Sequence, residues 1–281
     1  MRGTSEVIGV VVGDLADPFF APVVAGVQDQ ASPAGRLALI CATGGDPMGE
    51  LTHLDQLRRL GAGGVILVGG AVDGPRPELT ERLAGLLRAG IRVVLCGRPP
   101  ITGLPSVPAV TFDNAGGTTR LVEHLTAAGH RRIGYIMGPP RRSTTTERLA
   151  GFRSAAPGHD PRLVTGGEFT WESGWHAGQM LLRHKDLTAI VAANDLMAAG
   201  ALAAARADGR SVPAQLSVAG FDDIECCQDT CPPLTTVHLP LREAGAAAGR
   251  LACGLDEPPR GGVIRLDAEL VVRDTTGRVR A

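Results

Sequence analysis

Short apolar runs rich in β-branched residues alternate with helix-like stretches along almost the whole chain, and this constrains the fold more than any other feature. Strands are expected at Val7–Val12, Leu37–Cys41, Gly64–Val68, Arg92–Cys96 and Ala109–Phe112. A second series is expected at Arg132–Met137, Leu163–Glu168, Ala189–Ala192 and Ser217–Gly220. Helical patterning fills the gaps at Glu50–Leu60, Glu78–Ala89, Gly116–Ala128, Ser173–His184 and Leu196–Ala207. Strand and helix in turn is the pattern of βαβ units and parallel sheets. The two series share one plan, so the expected architecture is α/β with two similar doubly wound parallel-sheet subdomains. The tail departs from it, with an Ala-rich helix over Leu239–Leu255 and two short strands within Val263–Val272, split by Asp267.

At 281 residues the chain is long enough for two medium domains. It is 44% hydrophobic and 20% charged, as ordinary globular proteins are. A formal net charge of −1 argues against nucleic-acid binding by this segment itself. No apolar run is long enough to cross a membrane and the N-terminus lacks the order of a signal peptide, which makes the cytoplasm the expected location. Of the six cysteines, Cys41 and Cys96 read as small buried hydrophobes. Cys226, Cys227 and Cys231 cluster, but without paired Cys-x-x-Cys units, so neither a metal site nor a disulfide is expected there. No cofactor is expected.

Ligands of open parallel sheets bind outside the carboxyl ends of the strands, and there the notable polar residues fall. Asp14 to Phe20 follow the first strand, with Asp17-Pro18 a candidate helix start. Pro22 would delete a helical hydrogen bond at the fifth position, so the helix starts nearer Phe20 or is kinked. Phe19 and Phe20 read equally as core packing or as a ring facing a ligand. Arg148, expected to head a helix, presents a fork that can grip two hydroxyls or a carboxylate. Arg141 and Arg142 read as loop charge. Trp171 offers a flat apolar face at a strand's end, and with Trp175 four residues on, one of the two reads as packing. Asn194 can cap the following helix and hold its amide towards a ligand, while Asp195 reads as a cap. Asp222 can accept two hydroxyl hydrogen bonds, and Asp223 reads as a cap or a solvated side chain. Asp113 and Asn114 are weaker candidates. This set of fixed donors and acceptors beside an aromatic wall suits a neutral polyhydroxylated ligand. It suits catalysis poorly, for no nucleophile elbow, zinc motif, P-loop or dinucleotide fingerprint occurs. His130 reads as structural.

Several motifs stand in a recognisable order. Asp17-Pro18-Phe19-Phe20 is followed by Gly129-His130-Arg131-Arg132-Ile133-Gly134-Tyr135-Ile136 and Arg148-Leu149-Ala150-Gly151-Phe152. Ala193-Asn194-Asp195, Gly220-Phe221-Asp222-Asp223, Pro233-Leu234-Thr235-Thr236-Val237 and Ala268-Glu269-Leu270-Val271-Val272-Arg273 come after. Each is weak alone, but together and in order the chain resembles the LacI/GalR family of transcriptional regulators. The resemblance implies a periplasmic-binding-protein-like type I fold joined by three crossover strands, with a ligand cleft between the lobes. By resemblance the crossings fall near Leu125–Ala128, His238–Leu239 and Asp267–Ala268. One subdomain is then 1–126 plus 239–267, and the other 127–238 plus 268–281. It also implies Arg148 as the effector-gripping arginine, Trp171 as the ligand wall, and Asp14, Asp17, Phe19, Phe20, Asn194 and Asp222 around them.

The implied function is the effector-binding and dimerisation core of a repressor, taking a small sugar-like effector and forming a homodimer. Operator DNA would be met only through an N-terminal helix-turn-helix domain, because this chain opens almost directly into its first strand. Alternatives are a purine-responsive regulator, a solute-binding protein of a sugar transporter, or an enzyme on a similar scaffold.

Overall fold

The computed structural model describes residues 6–69, 76–156 and 158–279. Two compact units divide the chain. Unit 1 comprises Met1–Phe112 and Pro240–Leu266, and unit 2 comprises Asp113–Leu239 and Asp267–Ala281.

In unit 1 the strands are β1 (Val7–Val12), β2 (Leu37–Ala42), β3 (Gly64–Val68), β4 (Arg92–Cys96), β5 (Ala109–Phe112) and β11 (Val263–Leu266). They form one parallel sheet in the order β11-β5-β4-β3-β1-β2. β1 and β3 are near-continuous Val/Ile/Leu runs because both of their faces are covered. The helices are α1 (Phe20–Ala31), α2 (Pro47–Leu60), α3 (Pro77–Arg88) and α8 (Leu241–Cys253). α1 does start at Phe20. Pro22 is then its third residue, where no intrahelical N–H is needed, so no hydrogen bond is lost. α1 and α8 approach so closely that a Cβ on Gly245 would lie 2.0 Å from the Val23 carbonyl oxygen. One sheet edge stands open: β2, LALICA, leaves Leu37, Leu39 and Ile40 exposed.

Unit 2 holds β6 (Ile133–Met137), β7 (Val164–Gly166), β8 (Ala189–Ala192) and β9 (Ser217–Ala219) as a parallel sheet in the order β7-β6-β8-β9. β10 (Thr236–His238) and β12 (Glu269–Val271) pair antiparallel beside it. Its helices are α4 (Asn114–Ala127), α5 (Ser143–Ala155), α6 (Trp171–Leu181) and α7 (Asp195–Ala207). Glycine again sets the closest crossing: a Cβ on Gly174 of α6 would lie 2.1 Å from the Met197 carbonyl oxygen of α7.

Three details differ from the sequence-based expectations. The chain first passes between units at Phe112–Asp113, not near Leu125, so α4 belongs to unit 2. The cause is local: Gly117 of α4 sits against Phe221, Val237 and Ala268 of that unit. The strand expected over Leu163–Glu168 is shorter, because Pro161–Leu163 turn as a single 3-10 helix first. Finally, Arg148 does not head a helix. α5 starts five residues earlier, which places Arg148 in its second turn.

Candidate functional site

At the carboxyl edge of the unit 2 sheet, Arg148 gathers four groups around one guanidinium. Its Nε donates to Asn114 Oδ1 at 2.9 Å, Nη1 to the Ala193 carbonyl at 2.5 Å and Nη2 to Asp222 Oδ1 at 2.8 Å. The plane lies over the Phe221 ring, with Cζ 3.9 Å from its centroid. Arg148 and Asp222 are both buried, so the pair is held away from water, where Coulomb attraction is strong. Asn114 in turn donates from Nδ2 to Glu147 Oε2 at 2.7 Å. Expected as a weak candidate from the N-terminal lobe, Asn114 instead belongs to unit 2 and orients the arginine.

Asp222 and Asp223 sit where β9 gives way to β10, and both carry positive φ, 105° and 58°. Non-glycine residues held there store strain that the surroundings must enforce. The enforcement is visible. Asp222 N donates to the Val237 carbonyl at 2.9 Å. Asp223, rather than being solvated, accepts from Arg273 Nη2 at 2.6 Å and shares a hydrogen bond with His238 Nδ1 at 3.1 Å. Asp195 anchors the same turn from below. Its carboxylate accepts from Thr236 Oγ1 at 2.5 Å and from Ile224 N at 3.0 Å. Burial pushes the Asp195 carboxyl up to about 6, against the lowering effect of those bonds and of one from Cys227. It is an internal brace and not the helix cap.

Asn194 is the cap. Its Oδ1 accepts from Met197 N at 3.0 Å at the start of α7, which fixes the amide plane. The Nδ2 donors of this buried residue have no hydrogen-bond partner among the described residues. Trp171 is the first residue of α6, behind the Thr170 cap, and is 41% exposed. Its ring stacks on Trp175 at 5.5 Å between centroids and 18° between planes. Trp175 thus supports a face that Trp171 presents.

Unit 1 treats its sequence-selected residues differently. Asp14 Oδ1 accepts from Ala16 N, and Asp17 Oδ1 from Phe19 N, so at least one oxygen of each serves its own turn. Asp17 therefore caps a turn ahead of α1 and not the helix itself. Phe20 is buried against Gly13 and Gly69, and Phe19 stands edge-on to it at 5.2 Å. Of the two rings, Phe19 is the more open.

The remaining expectations fall outside the site. His130 is buried and bonded to Thr188, Ser217 and the Gly277 carbonyl, a brace whose pKa burial holds below the ordinary histidine value. All six cysteines are free thiols. Among the described residues no His/Cys/Asp/Glu group could hold a metal ion, and no helix could cross a membrane.

Residues 122–276 match the family model of the periplasmic binding protein-like domain. Among curated proteins, the transcriptional regulator CelR of Thermobifida fusca is 34% identical over 96% of this chain and 81% of its own length. The repressor CytR of Escherichia coli is 32% identical, over 98% of this chain and 80% of its own. This chain belongs to the LacI family of transcriptional regulators. Solved LacI-family structures agree. A complex of CelR with cellobiose superposes with a TM-score of 0.82 at 31% identity, over 96% of this chain and 84% of that one. The regulator CcpA of Lactococcus lactis gives 0.84 at 27%, over 97% and 99%. The fold is thus the periplasmic-binding-protein-like type I fold of LacI-family regulators.

Sequence reasoning missed Phe221 beneath the arginine, the Ala193 carbonyl and the hydroxyls that open α5. A run of Ser-Thr-Thr-Thr before a helix was the available signal for the last of these. Nothing local announces the others.

Proposed function

We propose that this chain is the effector-binding and dimerisation core of a LacI-family repressor, with a small sugar-like effector bound at the carboxyl edge of the unit 2 sheet. The observation that carries this is the constellation of Arg148, Asp222, Asn194 and Trp171. Rigid donors and acceptors share that edge with the exposed face of Trp171, and among the described residues no metal-holding group accompanies them. Such a set binds hydroxyls without transforming them, so the chain is a binding protein and not an enzyme. That CelR is seen with cellobiose supports a sugar. Asp14, Asp17, Phe19 and Phe20 are assigned a minor part in ligand contact, led by Phe19. Effector binding would bias the units towards one arrangement and so tune operator affinity, for which a coupling of about 1–3 kcal/mol is typical. Operator contact belongs to the helix-turn-helix part of such regulators and not to these residues, whose net charge is −1.

The same reading includes a homodimer. β2 is an apolar edge strand without a gatekeeper charge, and such edges are normally covered. A second copy meeting it across a twofold axis would cover it isologously. Sedimentation should give a dimer that Leu39→Lys converts to monomer.

A thermal-shift screen of pentoses, hexoses, disaccharides and purines tests the ligand. At one hundred times its dissociation constant a ligand stabilises by about 2.7 kcal/mol. A sugar should shift the wild type, quench the fluorescence of the two tryptophans, and lose at least tenfold in affinity with Trp171→Ala. A purine hit with no sugar hit would keep the regulator and overturn the sugar.

A further inference from the structure

Helix α5 begins without the partners that a helix start requires. The first helical bond runs from Thr146 N to the Arg142 carbonyl at 3.0 Å, so the N–H groups of Ser143, Thr144 and Thr145 have no intrahelical acceptor. Arg142 supplies no side-chain cap, and the first turn holds no acidic residue. No other acceptor reaches those three N–H groups among the described residues.

The side chains deepen the deficit. Ser143 Oγ and Thr145 Oγ1 belong to residues only 5% and 2% exposed, and neither atom has a hydrogen-bond partner. Leaving a buried hydroxyl unpaired is costly, so two at one point need an explanation. The direction of the Thr145 hydroxyl supplies one. Thr145 Oγ1 lies 2.8 Å from where a Cβ on Gly138 would stand, next to the Phe169 ring, and so faces the carboxyl end of β6. That is the sheet edge on which Arg148 gathers its partners. The carboxylates of Glu147 and Asp222 accept from Asn114 and Arg148, and neither is bonded to the two hydroxyls.

Three N–H groups and two hydroxyls without partners therefore stand together in the first turn, at the positive end of a 13-residue helix, directly after Arg141 and Arg142. A neutral sugar hydroxyl could meet one or two of these donors. A tetrahedral oxyanion, with three terminal oxygens, could meet all five.

We propose that the effector carries a phosphate group seated on the N–H groups of Ser143–Thr145 and on the Ser143 and Thr145 hydroxyls. The full ligand is then a sugar phosphate. This rests on the sugar reading above, and the experiment separates the two.

The full chain is titrated calorimetrically, and by phosphorus NMR, with inorganic phosphate, hexose 6-phosphates, pentose 5-phosphates and the neutral parent sugars. Inorganic phosphate should bind in the millimolar range, and a phosphorylated sugar at least tenfold tighter than its parent. Ser143→Ala with Thr145→Val should bring that ratio close to one without lowering the melting temperature, since two unpaired hydroxyls are removed. Ser143→Asp, which builds an anion into the seat, should raise the melting temperature and abolish phosphate binding. Equal affinity for a sugar and its phosphate would overturn the phosphate seat and leave the sugar reading standing. Phosphate binding that the double variant abolishes, with no contribution from any sugar, would support the seat and overturn the sugar. Failure of every phosphate compound to bind would overturn the seat outright.

Discussion

Each unit buries an arginine–carboxylate cluster at the carboxyl edge of its sheet, and the two clusters are built in opposite senses. In unit 1 one acid serves two bases: Glu50 accepts from Arg76 Nη1 at 2.7 Å and from Arg98 Nη2 at 2.5 Å. Burial pushes the Glu50 carboxyl up, but the two guanidiniums outweigh it and hold it below its ordinary value. In unit 2 one base serves several acceptors, and strained backbone at Asp222 and Asp223 supports the arrangement. The first arrangement ties α2 to the loops before α3 and after β4, and so closes a structure. The second holds its members in fixed directions beside unpaired donors and an open ring. Equal burial of charge thus closes a structure in one unit and, on the function proposed above, serves recognition in the other.

The largest expected effect comes from breaking the two clusters in parallel. Arg148→Ala removes the guanidinium paired with buried Asp222 and should cost about 3–5 kcal/mol in urea unfolding, together with all measurable effector affinity. Glu50→Ala strands Arg98 in the same way and should cost a similar amount. Its effect on effector affinity should stay within about twofold. Loss of affinity in both variants would erase the contrast between the units.

Asp195 sharpens it next. The native state holds this proton up to about pH 6, while the unfolded chain releases it near pH 4. Its contribution to stability is therefore complete below about pH 4 and lost as pH rises through 6, a swing of about 3 kcal/mol at most. Glu50 acts in the other direction, its contribution being present above the unfolded carboxylate pKa and lost on acidification. Urea midpoints from pH 4.5 to 7.5 should show Asp195→Asn flattening the downward slope with rising pH. An unchanged slope would mean that the carboxylate is already ionised in the native state.

The smallest effect separates two helix caps. Asp46→Ala, at α2, and Asn194→Ala, at α7, should each cost about 1 kcal/mol. Only the second should also weaken effector binding in a calorimetric titration.

Strands such as β1, β3 and β8 were legible because uninterrupted apolar runs bounded by glycine or polar residues have few other uses in a parallel sheet. The start of α5 was not. Ser143 to Thr146 have low helix propensity, and the β-branched threonines read as loop or strand, so the pattern puts Arg148 at the opening of a helix that it sits inside. That Arg148 meets a carboxylate was also beyond local pattern, since Asp222 lies 74 residues away. Family order could place Asp222 at the site. Only the fold could show its carboxylate turned towards Arg148. The membership of α4 was misplaced for a related reason: the contact of Gly117 with Ala268 spans most of the chain.

The backbone at Asp222 sets a practical limit on redesign. Its φ of 105° suits glycine best, its carboxylate accepts from Arg148, and the side chain is buried. Asparagine would keep the shape and lose the charge, while glycine would relax the turn and lose both. Libraries intended to probe the proposed effector site should hold that position fixed and draw their diversity from the open Trp171 face and the hydroxyl-bearing opening of α5, where side chains can change without disturbing a strained turn.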